Sequence, residues 1–254
     1  MGFLKLVCDG QSGIYEVNDQ GKIPFSDKPF ECSKKTFDKV FGFAYAMAFE
    51  DGYIRGHRSG GSAIRNSMQR FANTFQGKLA EFCVVRHLKN WGVNADDPDI
   101  GVYGQGVSDS GYDVLANGNK GSIKSAAYFS NLLLLETKDY DHEATYLPTG
   151  VKNRFIIFAR VKPKIERILR DFRLYQNGVA DRQELYNTLA KALWLVDCPG
   201  FVTIETFKQI IRDKMIIPRG SCLNTSCIMD ADNYYLHCGD MQPFSEAQFV
   251  KALL

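Results

Sequence analysis

Residues 111–126 read GYDVLANGNKGSIKSA, and the fold turns on this stretch. Two β-prone segments, residues 112–116 and 121–126, flank the polar run Asn117-Gly118-Asn119-Lys120. Asn-Gly between such segments is a strong hairpin signal, because the tight turn that matches strand twist needs positive φ at its central residues. On a strand, side chains two apart share a face, so Ser122 and Lys124 point together. A closely paired partner strand lets Asp113 face the same side. A carboxylate and an ammonium then meet at one strand end. Metal-dependent phosphodiester cleavage uses this pair: the carboxylate holds a divalent cation, the cation lowers the pKa of bound water, and the lysine orients or stabilises the nucleophile. Each residue also has a plainer reading, Asp113 as a strand-end acid paired with an arginine and Lys124 as an edge lysine that blunts aggregation.

Outward from the hairpin, the upstream residues 62–91 carry Ile64, Met68, Phe71, Phe75, Leu79, Phe82, Val85 and Leu88 at helical spacing. They predict one long helix, or two broken near Gln76-Gly77, stopped by Gly92. Residues 93–111 are rich in Gly and Asp and read as a loop. Farther back, Ser33 is placed to cap a helix over residues 34–49, and residues 3–7 and 14–17 read as a strand, a turn and a strand. Downstream, residues 154–161, RFIIFARV, form a buried strand, and Pro163 opens a helix to about Tyr175. Residues 181–194 and 203–215 read as amphipathic helices. Residues 228–237 alternate about a turn at 230–233, and a short helix starts at Ser245. The run Leu132-Leu133-Leu134-Leu135 is too short for periodicity to separate strand from helix. The order of elements predicts a single α/β domain over residues 1–254, with its core at about residues 62–161 and an embellishment at each end.

Asp113 followed by Ser122-Ile123-Lys124 resembles the PD-(D/E)XK nuclease superfamily, which includes most type II restriction endonucleases. Gly77-Lys78-Leu79-Ala80-Glu81-Phe82 resembles the helix that contributes an acidic residue in that family, and RFIIFARV resembles its next core strand. The resemblance covers roughly residues 72–161. It implies a restriction-endonuclease-like core, a central mixed β-sheet flanked by helices. It also implies Mg²⁺-dependent, site-specific hydrolysis of double-stranded DNA, carried out by a homodimer in the cytoplasm of a prokaryotic cell. Residue by residue, Asp113 would bind the metal, Glu81 would bind it directly or through water, and Lys124 would position the attacking water. Two positions depart from the pattern. Tyr112 stands where the family name has proline, and Ser122 stands where the family usually has Asp or Glu. A hydroxyl is a weak neutral ligand, so one charge is missing from the metal site. Either Glu81 or Glu136, twelve residues after Lys124, can replace it. The exchange also leaves open a nuclease that has lost activity and only binds DNA. A repair or recombination nuclease that recognises structure is a further alternative.

The remaining features bound this reading. Lys and Arg number 31 against 29 Asp and Glu, a net charge of +2, so any nucleic-acid contact must come from local clustering. Arg55, His57, Arg58, Arg65 and Arg70 form such a cluster, and Arg58, Arg65 and Arg70 are candidate phosphate contacts, with a solvated helix face as the plain alternative. The longest apolar run, residues 132–135, is far short of the ~20 residues that span a bilayer, so no membrane partner is expected. The first residues carry no signal-peptide pattern, and a soluble intracellular protein is expected. The seven cysteines are odd in number and read as thiols or ligands. Cys222, Cys227, His237 and Cys238 are the tightest ligand-type group for zinc, but the adjacent His237 and Cys238 point oppositely on a strand, so buried thiols are preferred. His142 reads as a loop histidine, and GVYGQG at 101–106 lacks the context of a dinucleotide fold.

Overall fold

A computed structural model describes residues 2–9, 13–50, 66–101, 111–171, 181–224 and 227–254. In chain order the elements are β1 (Val7–Asp9), β2 (Ile14–Glu16), β3 (Phe30–Glu31), α1 (Lys34–Phe49), α2 (Ser67–Asn90), β4 (Val114–Ala116), β5 (Asn119–Ala127) and β6 (Leu132–Glu136). There follow β7 (Phe155–Lys162), α3 (Ile165–Asp171), α4 (Arg182–Ala190), β8 (Leu195–Thr203), α5 (Ile204–Arg212), β9 (Ile216–Ile217), β10 (Cys222–Leu223), β11 (Cys227–Ile228), β12 (Asn233–His237) and α6 (Glu246–Leu253).

The organising layer is a five-stranded mixed sheet in the order β3-β8-β7-β5-β4. Its only parallel pair among the described residues is β5 with β7, and the other three pairs are antiparallel. Strand β7 is buried from Phe155 to Val161, as expected of a central strand covered on both faces. Its alternate residues go to two cores. Phe155, Ile157, Ala159 and Val161 join the cluster built by α1, α2, α3, α4 and α6. Ile156 and Phe158 join the cluster built by β6, β12 and α5 on the other face. The molecule is therefore a mixed α/β fold, a mixed sheet flanked by helices.

Local chemistry sets most of these boundaries. The Ser33 side chain accepts a hydrogen bond from the Thr36 amide at 3.2 Å and starts α1 where the sequence places it. Asn66 and Gln69 form a reciprocal capping box at the start of α2. Of the two readings for residues 62–91, one continuous helix over Ser67–Asn90 is found. The chain turns from β4 into β5 through Asn117 at φ 47° and Gly118 at φ 79°, the left-handed conformations that this two-residue turn demands. The leucine run resolves as strand, paired with β12 in a second sheet.

Three expectations are corrected. The first strand, expected over residues 3–7, runs over Val7–Asp9, where the ladder to β2 pairs it with Glu16, Tyr15 and Ile14. Residues 228–237 do not fold back on themselves: β11 pairs with β10, while β12 pairs with β6 and β9. Strand β12 lines Leu236 against Leu133 and Tyr235 against Leu134, a more apolar partnership than the exposed Ile228 offers. The helix read over residues 181–194 ends at Ala190, and residues 195–203 form a strand that passes through Pro199-Gly200. The proline sits where the β7–β8 register shifts between Phe158 and Arg160, and a bulge needs no amide from it.

Candidate active site

The hairpin of β4 and β5 sets Asp113 opposite Ser122, on the face that Lys124 shares. The Asp113 amide donates to the Gly121 carbonyl at 2.9 Å, which continues the Val114–Gly121 register one residue beyond β4. This fixes the Asp113 carboxylate beside Ser122. The Ser122 hydroxyl donates to Asp113 Oδ2 at 2.7 Å, and the Ile123 amide donates to the same oxygen at 2.8 Å. Both bonds fall on Oδ2, and among the described residues none falls on Oδ1. Gly121 leaves room for the Phe155 ring of β7, with which any Cβ at this position would collide.

Along β5, Ile123 enters the helix-side core and the Ser125 hydroxyl accepts a bond from Gln76 Nε2 of α2 at 3.4 Å. Ser122, Lys124 and Ala126 alternate with these toward the opposite face. Burial alone would lower the basicity of Lys124, but the Asp113 carboxylate, with Tyr140, Tyr146 and Glu81, raises it above the ordinary lysine value. The side chain is therefore an ammonium at neutral pH. Its Nζ lies 6.0 Å from the centre of the Tyr146 ring.

Glu81 lies on α2, which packs on the face of the sheet that Ile123 and Ser125 enter; it is buried, 8% exposed, and its charge is the smallest of those that raise Lys124. Lys78, one turn earlier, holds its Oε2 at 2.5 Å, and the Lys78 ammonium lies 5.7 Å from the Phe43 ring of α1. Glu136 ends β6 in the second sheet and pairs with Lys138 at 2.8 Å. Its charge is felt by the neighbouring Asp139, whose carboxyl is raised above its ordinary value, first by burial and then by Glu136.

Three residues enter the site that the sequence reading did not single out. Tyr140, Tyr146 and Asp139 come from the long crossover between β5 and β7. Burial pushes the Tyr140 hydroxyl up to about 12, while Lys124 pulls it the other way. Aromatics in an otherwise polar loop, KDYDHEATY at 138–146, were the available signal. His142 in the same loop has its side chain 86% exposed, 4.0 Å from Glu143.

Of the candidate phosphate contacts, Arg58 and Arg65 lie outside the described residues, as do Arg55 and His57. Arg70 donates to the Ser67 hydroxyl at 2.9 Å and to the Ala48 carbonyl at 3.4 Å, tying the start of α2 to the end of α1. The zinc candidates are spread over separate elements. Cys222 faces Ile228 and Cys227 faces Leu223, so the two thiols lie on opposite faces of their hairpin. His237 is fully buried in another sheet, where its Nε2 accepts the Asn18 amide at 3.3 Å, and Cys238 is buried after it. Among the described residues no three His, Cys, Asp or Glu side chains converge as a metal cluster.

The site thus contains a carboxylate with one oxygen immobilised, a charged lysine and two tyrosines. Hard oxygen donors of this kind suit Mg²⁺, which commonly takes one or two protein carboxylates and completes its shell with water and substrate phosphate. Compared with protein-family models, curated proteins and solved structures, the chain matches none of them.

Proposed function

We propose that this protein is a Mg²⁺-dependent endonuclease on a restriction-endonuclease-like core, hydrolysing phosphodiesters in double-stranded DNA at a specific sequence. The observation that carries the reading is the immobilised Asp113 carboxylate on the same face of the hairpin as Lys124, whose ammonium it supports. In this reading Asp113, through Oδ1, and Glu81 would hold the metal, which supplies Lewis acidity and a water of lowered pKa.

Hydrolysis adds water across a P–O bond. The water oxygen bonds to phosphorus, the ester P–O bond breaks, and the departing oxygen takes up a proton. Lys124 orients the attacking water and stabilises charge that grows on the phosphate, acting as a fixed cation. Ser122 and the Ile123 amide hold Asp113 at its angle, so the hydroxyl contributes position where an acid would contribute charge. Tyr140 and Tyr146 wall the lysine from solvent, which strengthens its field. A twofold pair of such sites in a homodimer would cut both strands.

The test is incubation of purified protein with long duplex DNA, with Mg²⁺ or with EDTA. Discrete fragments with Mg²⁺ alone, absent for Lys124→Ala, are expected. Smearing or nicking would transfer the reading to a structure-directed nuclease. A salt-sensitive gel shift without cleavage would leave a DNA-binding protein. Neither cleavage nor shift would overturn the nucleic-acid reading.

A further inference from the structure

Strands β5 and β7 run parallel and end together, and a mixed cationic and aromatic surface gathers where they end. Lys162 Nζ lies 5.7 Å from the centre of the Phe25 ring and 5.5 Å from that of Tyr128. Lys164 Nζ lies 5.4 Å from the Phe129 ring. The rings touch one another as well: Phe25 meets Tyr128 edge-on at 6.2 Å, and Tyr128 meets Phe129 at 5.2 Å. Below them the Arg160 guanidinium lies 5.7 Å from Phe25 and is fixed by Asp197, so the base of the surface is rigid.

Phe129 is 58% exposed, and Lys162 is exposed beside it. Neither lysine forms an ion pair with a carboxylate among the described residues. What sets Phe129 apart from the other exposed apolar side chains is its company, two further rings and two ammonium groups within one patch. Alternating ring faces and cations are complementary to one kind of polymer, a strand that presents flat bases and phosphates in turn. In a duplex the base faces are stacked on one another and closed to Phe129, so the complementary strand is an unpaired one. An anionic lipid surface would meet the same charges but calls for clusters of roughly four to eight basic residues.

We infer that Phe25, Tyr128, Phe129, Lys162 and Lys164 form a platform for unpaired nucleotides flanking the scissile phosphate. The inference rests on the nuclease reading of the neighbouring site and sharpens its substrate to a duplex in which a few nucleotides beside the cut are unpaired. Tyr128 follows Lys124 by four residues, which at ~3.3 Å per residue is roughly 13 Å along the strand.

The experiment is fluorescence anisotropy with a labelled oligothymidylate of about a dozen nucleotides, in EDTA so that no cleavage intervenes. Wild-type protein should bind, and Phe129→Ser should bind roughly tenfold more weakly, as for the loss of one stacked base. Phe129→Tyr should bind like wild type, and Lys162→Gln with Lys164→Gln should flatten the salt dependence. Lys124→Ala should bind the oligomer normally while losing cleavage, which separates the two sites. Circular dichroism melting of each variant confirms that it folds. Equal binding by wild type and Phe129→Ser, or binding of phosphatidylserine vesicles without binding of the oligomer, would overturn the platform. Oligomer binding of the expected pattern with no cleavage of any DNA would retain the platform and remove the nuclease reading.

Discussion

Ser122 shows how one side chain can change meaning between sequence and structure. By type it is the wrong residue for a metal ligand, yet its hydroxyl and the next amide hold the Asp113 carboxylate at 2.7 and 2.8 Å. Ser122→Glu would therefore not restore an acid; it would set a second carboxylate against Asp113. We predict a lower melting temperature for Ser122→Glu than for Ser122→Ala, and thermal denaturation of the two checks the order. Ser122→Ala should cost about 1 kcal/mol in urea denaturation, the usual net value of one hydrogen bond. Lys124→Ala should lower cleavage on the order of 10²–10³-fold, as expected for losing one preorganised charge at a reacting phosphate, measured as single-turnover rates. Asp139 gives a pH prediction. Its folded-state carboxyl is raised above the unfolded value by burial and by Glu136, so its favourable contribution is present at acid pH and is lost as pH rises through the folded value. Asp139→Asn should raise the melting temperature at pH 7, and the gain should vanish below about pH 4, near the unfolded carboxylate value.

At the scale of elements, the hairpin was legible because its chemistry is local. Asn117 and Gly118 specify the turn, the turn fixes the register, and the register places Asp113 beside Ser122. The cap at Ser33 and the apolar spacing of α2 were legible for the same reason. What could not be read depends on partners distant in sequence. The Pro199-Gly200 bulge of β8 is tolerated only because β7 shifts register opposite it, and β12 leaves its apparent hairpin partner for the leucines of β6. The tyrosines that wall Lys124 arrive on a crossover whose path the sequence leaves unspecified. Gly118→Ala tests the turn. A side chain at φ 79° is strained, so we predict a loss of about 1 kcal/mol in urea denaturation and a disproportionate loss of cleavage as the Asp113–Ser122 pairing loosens.

For the molecule as a whole, the sheet separates two cores that must be held in registration. Arg160, 1% exposed, is the bolt on the β6 side of the sheet. It binds Asp197 through two bonds at 2.9 and 2.5 Å and donates to the carbonyls of Ile23 at 2.7 Å and Pro24 at 2.9 Å. Asp197 in turn accepts the Ser26 amide at 2.8 Å. One buried ion pair thus ties β7 and β8 to a segment more than 130 residues earlier. Asp197→Ala would strand the guanidinium, and we predict a loss of about 3–5 kcal/mol in chemical denaturation. Exchange of both partners for apolar residues of similar volume should cost less than the single change.

The hydrogen bond from the Ile123 amide to Asp113 has a further implication for how this site can vary. A main-chain donor is present whatever residue occupies position 123, so no single side-chain replacement there can delete it, proline apart. Half of the carboxylate's support is therefore indifferent to mutation at its own address and vulnerable to mutation elsewhere. A library randomised over residues 113–124 should tolerate small residues at 122 far more readily than it tolerates replacement of Gly118 or Gly121. The selective burden on the chemistry would fall on two glycines that touch no substrate.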